Sequence, residues 1–435
     1  MNNPQDLSIK DFSYDLPDER IAQFPLEARD QSKLLVYRNN QISETLFNQL
    51  SSLLEVGDAL YFNNTRVIHA RIFFFKESGA KVEIMCLEPL DSSDTQVAFQ
   101  QKKSATWKVM IGNSKRWKEG VLTKEISLNE NKFTLKVQKL SQNEDTYTVR
   151  FTWDADISFA EMIENAGVLP LPPYMNRDVE GEDENRYQTV YARHDGSVAA
   201  PTAGLHFTEN VIQSLHSKGI STNYLTLHVG AGTFKPVKAE TMLDHEMHEE
   251  RIHIERSLIE SLLKQVEGKT GRIVAVGTTS LRSLESIYWF GRRLFMQKDK
   301  WDEIGYLYVE QWEPYQLRID NDELGNSDKQ IQKESFDSTQ TEIDLQTSLQ
   351  AILDWMQYKD KTVLTGATQI IIAPPYKIKV ADAIITNFHQ PESTLLLLVS
   401  AFVGEDWKSI YEYALANDFR FLSYGDSSVL FKSKL

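Results

Sequence analysis

Four stretches of the chain combine glycine, hydroxyl side chains and histidine in a pattern able to hold and process a polar ligand. They are "AAPTAGLHFT" at 199–208, "TLHVGAGTFKPV" at 226–237, "VAVGTTSLRSLES" at 274–286 and "TNFHQPEST" at 386–394. Each reads as the end of a strand, where open α/β sheets place their ligands. His206, His228 and His389 each close an apolar or small-residue run. Imidazole titrates near neutrality, so three of them in glycine-rich turns point to a pocket with acid/base capacity. In the third stretch a buried strand turns at Gly277 and presents Thr278, Thr279 and Ser280 at a helix N-terminus, with Arg282 in the first turn. Free backbone N–H groups, hydroxyls and a guanidinium together suit a carboxylate or phosphate. An ordinary Ser/Thr helix cap is the plainer alternative. Gly230 and Gly232 do not make a dinucleotide turn, because the third glycine is missing and Pro236 stands where a helix would run.

Two further features carry chemical interest. "DHEMHEER" sets His245 and His248 among Asp244, Glu246, Glu249 and Glu250. The spacing differs from the His-Glu-x-x-His of zinc proteases and no cysteines accompany it, so no metal is expected and substrate contact or proton transfer is preferred. The run "GSVAAPTAGLHF" at 196–207 is almost all small residues. Such a run implies that something approaches the backbone so closely that larger side chains are excluded.

The elements that must position these residues follow from periodicity. "LFNQLSSLLEVGD" predicts a short helix with Leu46, Leu50, Leu53 and Leu54 on one face. From about 59 to 153 short β-type runs predominate, among them "ALYFNNTRVIHARIFFF", "TWKVMIG" and "DTYTVRFTW", as in a small antiparallel barrel. A proline- and acid-rich connection, "VLPLPPYMNRDVEGEDENRY", comes next. Strands and amphipathic helices then alternate, including "ENVIQSLHSKG" capped by Thr208 and "RSLIESLLKQVEG". The expected fold is α/β: a mixed-sheet domain from 1–60 and 155–435, with a β-barrel domain inserted at 61–154. Residues 296–345 read as a polar surface insertion.

Composition sets the outer bounds. The chain has 435 residues, a net charge of −15, 41% hydrophobic residues and one cysteine, Cys86. An acidic chain does not bind nucleic acid indiscriminately, so any such contact must use a local basic patch. Lys102, Lys103, Lys108, Lys115, Arg116 and Lys118, interleaved with Trp107 and Trp117, offer one, and an exposed hairpin is the plainer reading of the same residues. Cys86 sits in the apolar run "KVEIMCLEPL" and reads as a buried structural thiol. The longest apolar run, "TLLLLVSAFVG", falls short of the ~20 residues of a membrane span, and the first residues lack signal-peptide character. A cytoplasmic monomer with no membrane partner is expected.

Taken in order, "GSVAAPTAGLHFT", "TLHVGAGTFKPV", "DHEMHEE", "VGTTSLRSLE" and "ITNFHQPESTLLLLVSAF" resemble the S-adenosylmethionine:tRNA ribosyltransferase-isomerases of queuosine biosynthesis. "LPDERIAQFPLEARDQSKLL", "NNTRVIHARI", "LPLPPY", "RYQTVYA" and the late "YGD" extend the likeness from about residue 11 to 432. The resemblance implies an α/β domain carrying a barrel and S-adenosylmethionine as cosubstrate. The macromolecular partner would be a tRNA bearing 7-aminomethyl-7-deazaguanine at the wobble position. The ribosyl group would be transferred and isomerised to give epoxyqueuosine-tRNA, with adenine and methionine leaving.

Within that reading, residue chemistry nominates His206 and His228 as acid/base groups, with His248 and Glu249 as further candidates. Thr278, Thr279, Ser280 and Arg282 would hold the methionine carboxylate, and Glu285 or Asp244 its ammonium. Thr202, Gly204, Gly230, Gly232, Thr233, Asn387 and His389 complete the expected substrate pocket. Lys115, Arg116 and Lys118 would meet tRNA phosphates. Two departures stand out: "IIIAPPYKIK" places Pro375 where the family carries a glycine, and the 296–345 insertion exceeds the family's short connection.

Overall fold

The computed structural model describes residues 3–92, 95–128, 131–143, 145–230, 239–315 and 342–432. Ten strands form one mixed sheet in the order Leu307–Val309, Val363–Thr368, Glu250–Glu255, Ser221–His228, Ala59–Asn63, Ile273–Val276, Ala383–Asn387, Ser427–Phe431, Lys33–Arg38 and Gln41–Leu46. Ala59–Asn63, Ile273–Val276 and Ala383–Asn387 are parallel neighbours and buried along their whole length, as their largely apolar sequences require. Ser221–His228 runs parallel to them, and Glu250–Glu255 runs antiparallel to Ser221–His228. This arrangement decides where the motifs go. The carboxyl ends of the parallel strands and the start of Glu250–Glu255 all emerge on one edge of the sheet. Val363–Thr368, antiparallel to Glu250–Glu255, ends there too, and Ser427–Phe431, antiparallel to Ala383–Asn387, begins there.

Helix Thr278–Met296 crosses one face and is buried almost all round, with Leu281, Leu284, Ile287 and Phe290 in the main core. It starts at Gly277, whose φ of +87° suits a residue without Cβ. Helix Arg256–Gly268 buries Leu258, Ile259, Leu262 and Leu263 in the same core. Helix Glu209–Ser217 is capped by the Thr208 hydroxyl, which accepts from the Val211 N–H at 3.2 Å.

A second sheet is six-stranded and antiparallel throughout: Arg71–Phe75, Lys81–Pro89, Ser104–Gly112, Thr146–Trp153, Asn131–Asn143 and Val121–Leu128. Its first and last strands approach each other, so it curls into a nearly closed barrel. Phe74, Ile84, Val109, Leu135 and Phe151 fill the interior. Phe159, on helix Phe159–Ala166, stacks on Trp107 at 4.6 Å and extends this core. Cys86 is fully buried in it, and burial pushes its thiol well up, which leaves it unreactive. The mixed α/β architecture with a small antiparallel barrel is the one the periodicity predicts.

The local reading needs correcting in four places. Ala59–Asn63, grouped in sequence with the barrel runs, pairs at the middle of the large sheet; a fully buried strand and a barrel strand look alike when both are apolar. Leu46 ends the strand Gln41–Leu46 and is exposed, and only Leu50–Leu53 is α-helical, so the four leucines do not share a helix face. Within the expected insertion, helix Thr278–Met296 reaches 296 and Leu307–Val309 forms an edge strand of the large sheet, while 316–341 lie outside the described residues. Trp107 and Trp117 are both buried in the barrel and offer no surface for stacking a base.

The small-residue run has a divided explanation. Ala199 to Ala203 line the cavity described below. Gly204 does not: a Cβ there would lie 2.0 Å from the Tyr191 hydroxyl and 2.8 Å from Thr189 Cγ2. The glycine therefore serves packing between the 202–206 turn and Tyr191. Gly204→Ala should destabilise the fold by about 2 kcal/mol through overpacking, and Tyr191→Phe should recover part of that loss. Urea unfolding of the two single variants and the double variant measures this. Strict additivity would show that another neighbour excludes the methyl group.

Candidate active site

A cavity of about 950 Å³ opens at the sheet edge where the motifs converge. Its sheet-side wall comes from the 199–203 turn, Val229 and Gly230, the 244–250 segment, Gly277–Thr279 with Arg282, Gln369–Ile372 and Thr386–Thr394. The opposite wall belongs to the barrel: Leu87, Glu88, Lys108, Met110, Asn143, Asp145 and Thr146. The ligand space thus lies between the two sheets.

Of the residues nominated from sequence, Thr202, Gly230, Asp244, His248, Glu249, Thr278, Thr279, Arg282, Asn387 and His389 line this cavity together. Gly232 and Thr233 lie outside the described residues. His206 sits behind the wall instead of in it. Its ring is buried, stacks on Phe47 at 5.0 Å, and spends both nitrogens, with Ser32 Oγ at 2.8 Å from Nδ1 and Asn387 Nδ2 at 3.1 Å from Nε2. His228 is not among the described residues that line the cavity, and its ring meets His253 edge-on at 5.6 Å. Ser280 is fully buried inside the helix.

Glu285, proposed to hold an ammonium, is committed elsewhere. Its carboxylate accepts from the Tyr376 hydroxyl at 2.6 Å and from the N–H groups of Lys379 and Val380 at 2.8 and 2.9 Å. It anchors the turn that follows Pro374-Pro375. Lys115, Arg116 and Lys118 are exposed around the turn Ser114–Arg116 of the barrel, outside the cavity wall.

The polar wall has a definite pattern. Arg282, 5% exposed, pairs through Nη1 with Glu250 and donates from Nε to the Ile370 carbonyl at 3.2 Å. Its Nη2 is buried and has no partner among the described residues, and the same holds for Thr279 Oγ1 and Asn387 Oδ1. Asn387 is oriented unambiguously. The Leu422 carbonyl can only accept, so the amide NH₂ faces it at 3.0 Å and also donates to His206. His206 therefore carries its proton on Nδ1. Glu250 is fully buried. Burial pushes its carboxyl up, but Arg282 and His248 pull it down further, and it lies below the ordinary glutamate range. Its second oxygen faces His248 Nε2 at 3.3 Å.

The sequence reading noticed Glu250 only as one acid in a cluster and Lys108 only as part of a basic patch, and passed over Gln311, Gln369 and the barrel residue Glu88. Gln311 and Gln369 carry no local signal, being single polar residues beside the strands Leu307–Val309 and Val363–Thr368. Glu88 and Lys108 pair at 2.7 Å across adjacent strands, and only the placement of the barrel against the sheet brings them to the cavity. Among the described residues no group of three His, Cys, Asp or Glu side chains is placed to hold a metal ion, and no helix is long and apolar enough to cross a membrane.

The family model described as "Queuosine biosynthesis protein" matches residues 9–311 and 343–430. The chain belongs to this family. A protein of Halothermothrix orenii named S-adenosylmethionine:tRNA ribosyltransferase-isomerase is 35% identical over 428 residues, covering 98% of this chain and all of that one. A protein of the same name from Dechloromonas aromatica is 37% identical over 426 residues, covering 98% of this chain and 97% of its own. A crystal structure of the S-adenosylmethionine tRNA ribosyltransferase of Thermotoga maritima is 25% identical, covers 97% of this chain and 99% of its own, and superposes with a TM-score of 0.43. As a member of the queuosine biosynthesis family the chain is an enzyme, a transferase. The family match stops at 311 and resumes at 343.

The buried imidazoles make stability depend on pH. Burial lowers His206 and His228 to about 3 and His389 to about 4. Unfolded, each ring titrates near 6.5. The unfolded chain therefore binds more protons than the folded one over this window, and stability present above pH ~6.5 is lost as pH falls through it. Each ring should remove about 2 kcal/mol by about pH 5. Urea unfolding of the wild type and of His206→Asn at about pH 5, 6 and 7 checks the assignment. The variant should be less stable at neutral pH and should lose less on acidification; an unchanged pH slope would exclude a buried neutral His206.

Proposed function

We propose that the enzyme transfers and isomerises the ribosyl group of S-adenosylmethionine onto the 7-aminomethyl-7-deazaguanine of a tRNA wobble position, giving epoxyqueuosine-tRNA with release of adenine and methionine. The observation that carries this reading is the polarity of the cavity. Free donors lie at one place on its wall, and acids lie along the 244–250 segment. The start of helix Thr278–Met296 and the unpartnered Nη2 of Arg282 suit the methionine carboxylate. Asp244, Glu246 and Glu249 suit the ammonium and sulfonium charges of the same molecule. Asn387, with its acceptor oxygen left over, is matched to an N–H of adenine or of the deazaguanine.

The sulfonium acidifies the C5′ hydrogens, so a base on the wall can remove one and leave the electron pair beside sulfur. That pair expels the ring oxygen from C4′, and the oxygen in turn expels adenine from C1′. The aminomethyl nitrogen adds to C4′ and loses a proton, the carbon beside sulfur closes onto C1′, and the oxygen left there displaces the thioether of methionine from C5′ as the epoxide forms. Lys115, Arg116 and Lys118 are the residues we assign to tRNA phosphate contact; their exposure on the barrel that roofs the cavity favours it.

The deciding experiment incubates the protein with S-adenosylmethionine and either tRNA carrying the aminomethyl-deazaguanine or unmodified tRNA. Chromatography should show adenine and methionine only with the modified tRNA, and the epoxide nucleoside in its digest. Release of S-adenosylhomocysteine would indicate a methyltransferase, and tight tRNA binding with no release would indicate a binding protein. Thr279→Val should raise KM for S-adenosylmethionine roughly tenfold, the effect of losing one hydrogen bond to a charged group, with tRNA affinity unchanged. Charge reversal at Lys115, Arg116 and Lys118 should weaken tRNA binding and flatten its salt dependence. Unaltered affinity would move the phosphate contact to another surface.

A further inference from the structure

The 244–250 segment is held more tightly than its exposed acids suggest. Gln311 accepts from the Met247 N–H at 2.9 Å and donates to the His245 carbonyl at 2.7 Å. Gln369 donates to the Met247 carbonyl at 2.9 Å. The backbone leading into His248 is therefore clamped from two neighbouring strands. The His248 ring is fixed in turn by Glu250, and Glu250 by Arg282, so that three side chains form a chain from the buried helix start to the cavity. His248 Nδ1 has no protein partner among the described residues, and the side chain is 30% exposed on the cavity wall.

We propose that Glu250 is a positioning residue: it holds His248 with its proton on Nε2 and thereby makes Nδ1 the proton acceptor of the cavity. A carboxylate can only accept, so the Nε2 facing it must donate, and the lone pair of a neutral ring then lies on Nδ1. Arg282 makes the arrangement stable, since a fully buried carboxylate without a cation would take up a proton and could then present a donor to Nε2. His245 shares the cavity, but no carboxylate oxygen fixes either of its ring nitrogens among the described residues, so its tautomer is not set in this way. The further charged groups sharing the space are Asp244, Glu246 and Glu249 near His248, Glu392 on the same side, and Glu88, Lys108 and Asp145 across from it. The step assigned to Nδ1 rests on the reading under Proposed function. The C5′–H bond of the sulfonium breaks, its electron pair stays on carbon, and the proton passes to Nδ1 to give an imidazolium.

Glu250→Gln tests this sharply because it keeps the shape and inverts the hydrogen-bond logic. Arg282 can only donate, so the carboxamide oxygen must turn to Arg282 and its NH₂ to His248. Nε2 then has to accept, and the ring proton moves to Nδ1. Nitrogen NMR of the ¹⁵N-histidine-labelled protein near pH 8, where an ordinary ring is neutral, reads the tautomer directly. His248→Gln assigns the resonance. The wild type should show protonated Nε2 and the variant protonated Nδ1. With S-adenosylmethionine and modified tRNA, kcat of the variant should fall about 10³- to 10⁴-fold, the scale of a wrong-tautomer histidine, with KM for S-adenosylmethionine within about threefold. Glu250→Asp, which keeps the charge, should retain the native tautomer and recover much of kcat.

A wild-type His248 protonated on Nδ1 would overturn the proposal whether or not the variant folds. So would a glutamine variant that keeps the native tautomer, or that changes tautomer without losing kcat. A wild type with the expected tautomer that releases no adenine would instead sink the ribosyl-transfer reading and leave the positioning role of Glu250 intact.

Discussion

The buried pair of Arg282 and Glu250 is the interaction on which the cavity depends. Neither charge could stay where it is alone, since removing an unpaired ion from water costs several kcal/mol. The pair as a whole contributes little to net stability by this reasoning, but each half compels the other. It joins the first residue of the strand Glu250–Glu255 to the first turn of helix Thr278–Met296, and through Nε it takes in the Ile370 carbonyl at the end of Val363–Thr368. Three elements far apart in sequence are therefore registered at one point of the sheet edge. A small error in that register would leave a charge or a donor unsatisfied in the core, so the geometry there is self-correcting.

Strand direction supplies the rest. An all-parallel sheet would have carried the start of Glu250–Glu255 to the opposite edge, with His248 and Glu249 following it. Because the strand is antiparallel to Ser221–His228, its beginning meets the ends of its neighbours. The barrel is inserted just beyond the end of Ala59–Asn63, close to the same edge. There the Asn63 side chain bonds both the N–H and the carbonyl of Leu227, at 3.1 and 2.9 Å, and so continues the strand pairing for one step after the backbone leaves. The chain departs into the barrel without exposing Leu227, and the barrel becomes the roof of the site.

What the sequence made legible follows from this geometry. Local rules located the Thr208 cap, the turn at Gly277, the amphipathic Arg256–Gly268 helix and the ten residues that line the cavity. Most of those residues lie just after a strand or, like His248 and Glu249, just before one, and strand ends are visible in sequence. His206 was placed on the wrong side of the wall because a histidine closing an apolar run reads the same whichever way its ring turns. His206 is settled by Ser32, 174 residues earlier in the chain, and by Asn387, 181 residues later. Glu285 looked like a ligand for a cation because its own three donors lie 91 to 95 residues away. Glu88 had no site signature and Lys108 read only as part of a basic patch, since both belong to the cavity only through docking of one sheet on another.

The misplaced histidine nonetheless acts on the site at one remove. His206 accepts from Asn387, and the Leu422 carbonyl takes the other amide hydrogen, so the only hydrogen-bonding group Asn387 has left is an acceptor. Arg282, spent on Glu250 and Ile370, has only a donor left, and His248, if Glu250 holds its proton on Nε2, has only an acceptor. For Asn387 and His248 a buried partner behind the wall removes the ambiguity of a side chain that could otherwise have served either way, whereas a guanidinium donates in any setting. A site built from such residues distinguishes ligands by sign at each position. Presenting a donor where only donors stand costs the desolvation of both groups, and that penalty exceeds what a correct hydrogen bond contributes. A zwitterion with a cationic centre fits a wall in which a fixed donor and fixed acceptors occupy separate places. A uniformly anionic ligand of similar size would meet the acids of the 244–250 segment unpaired.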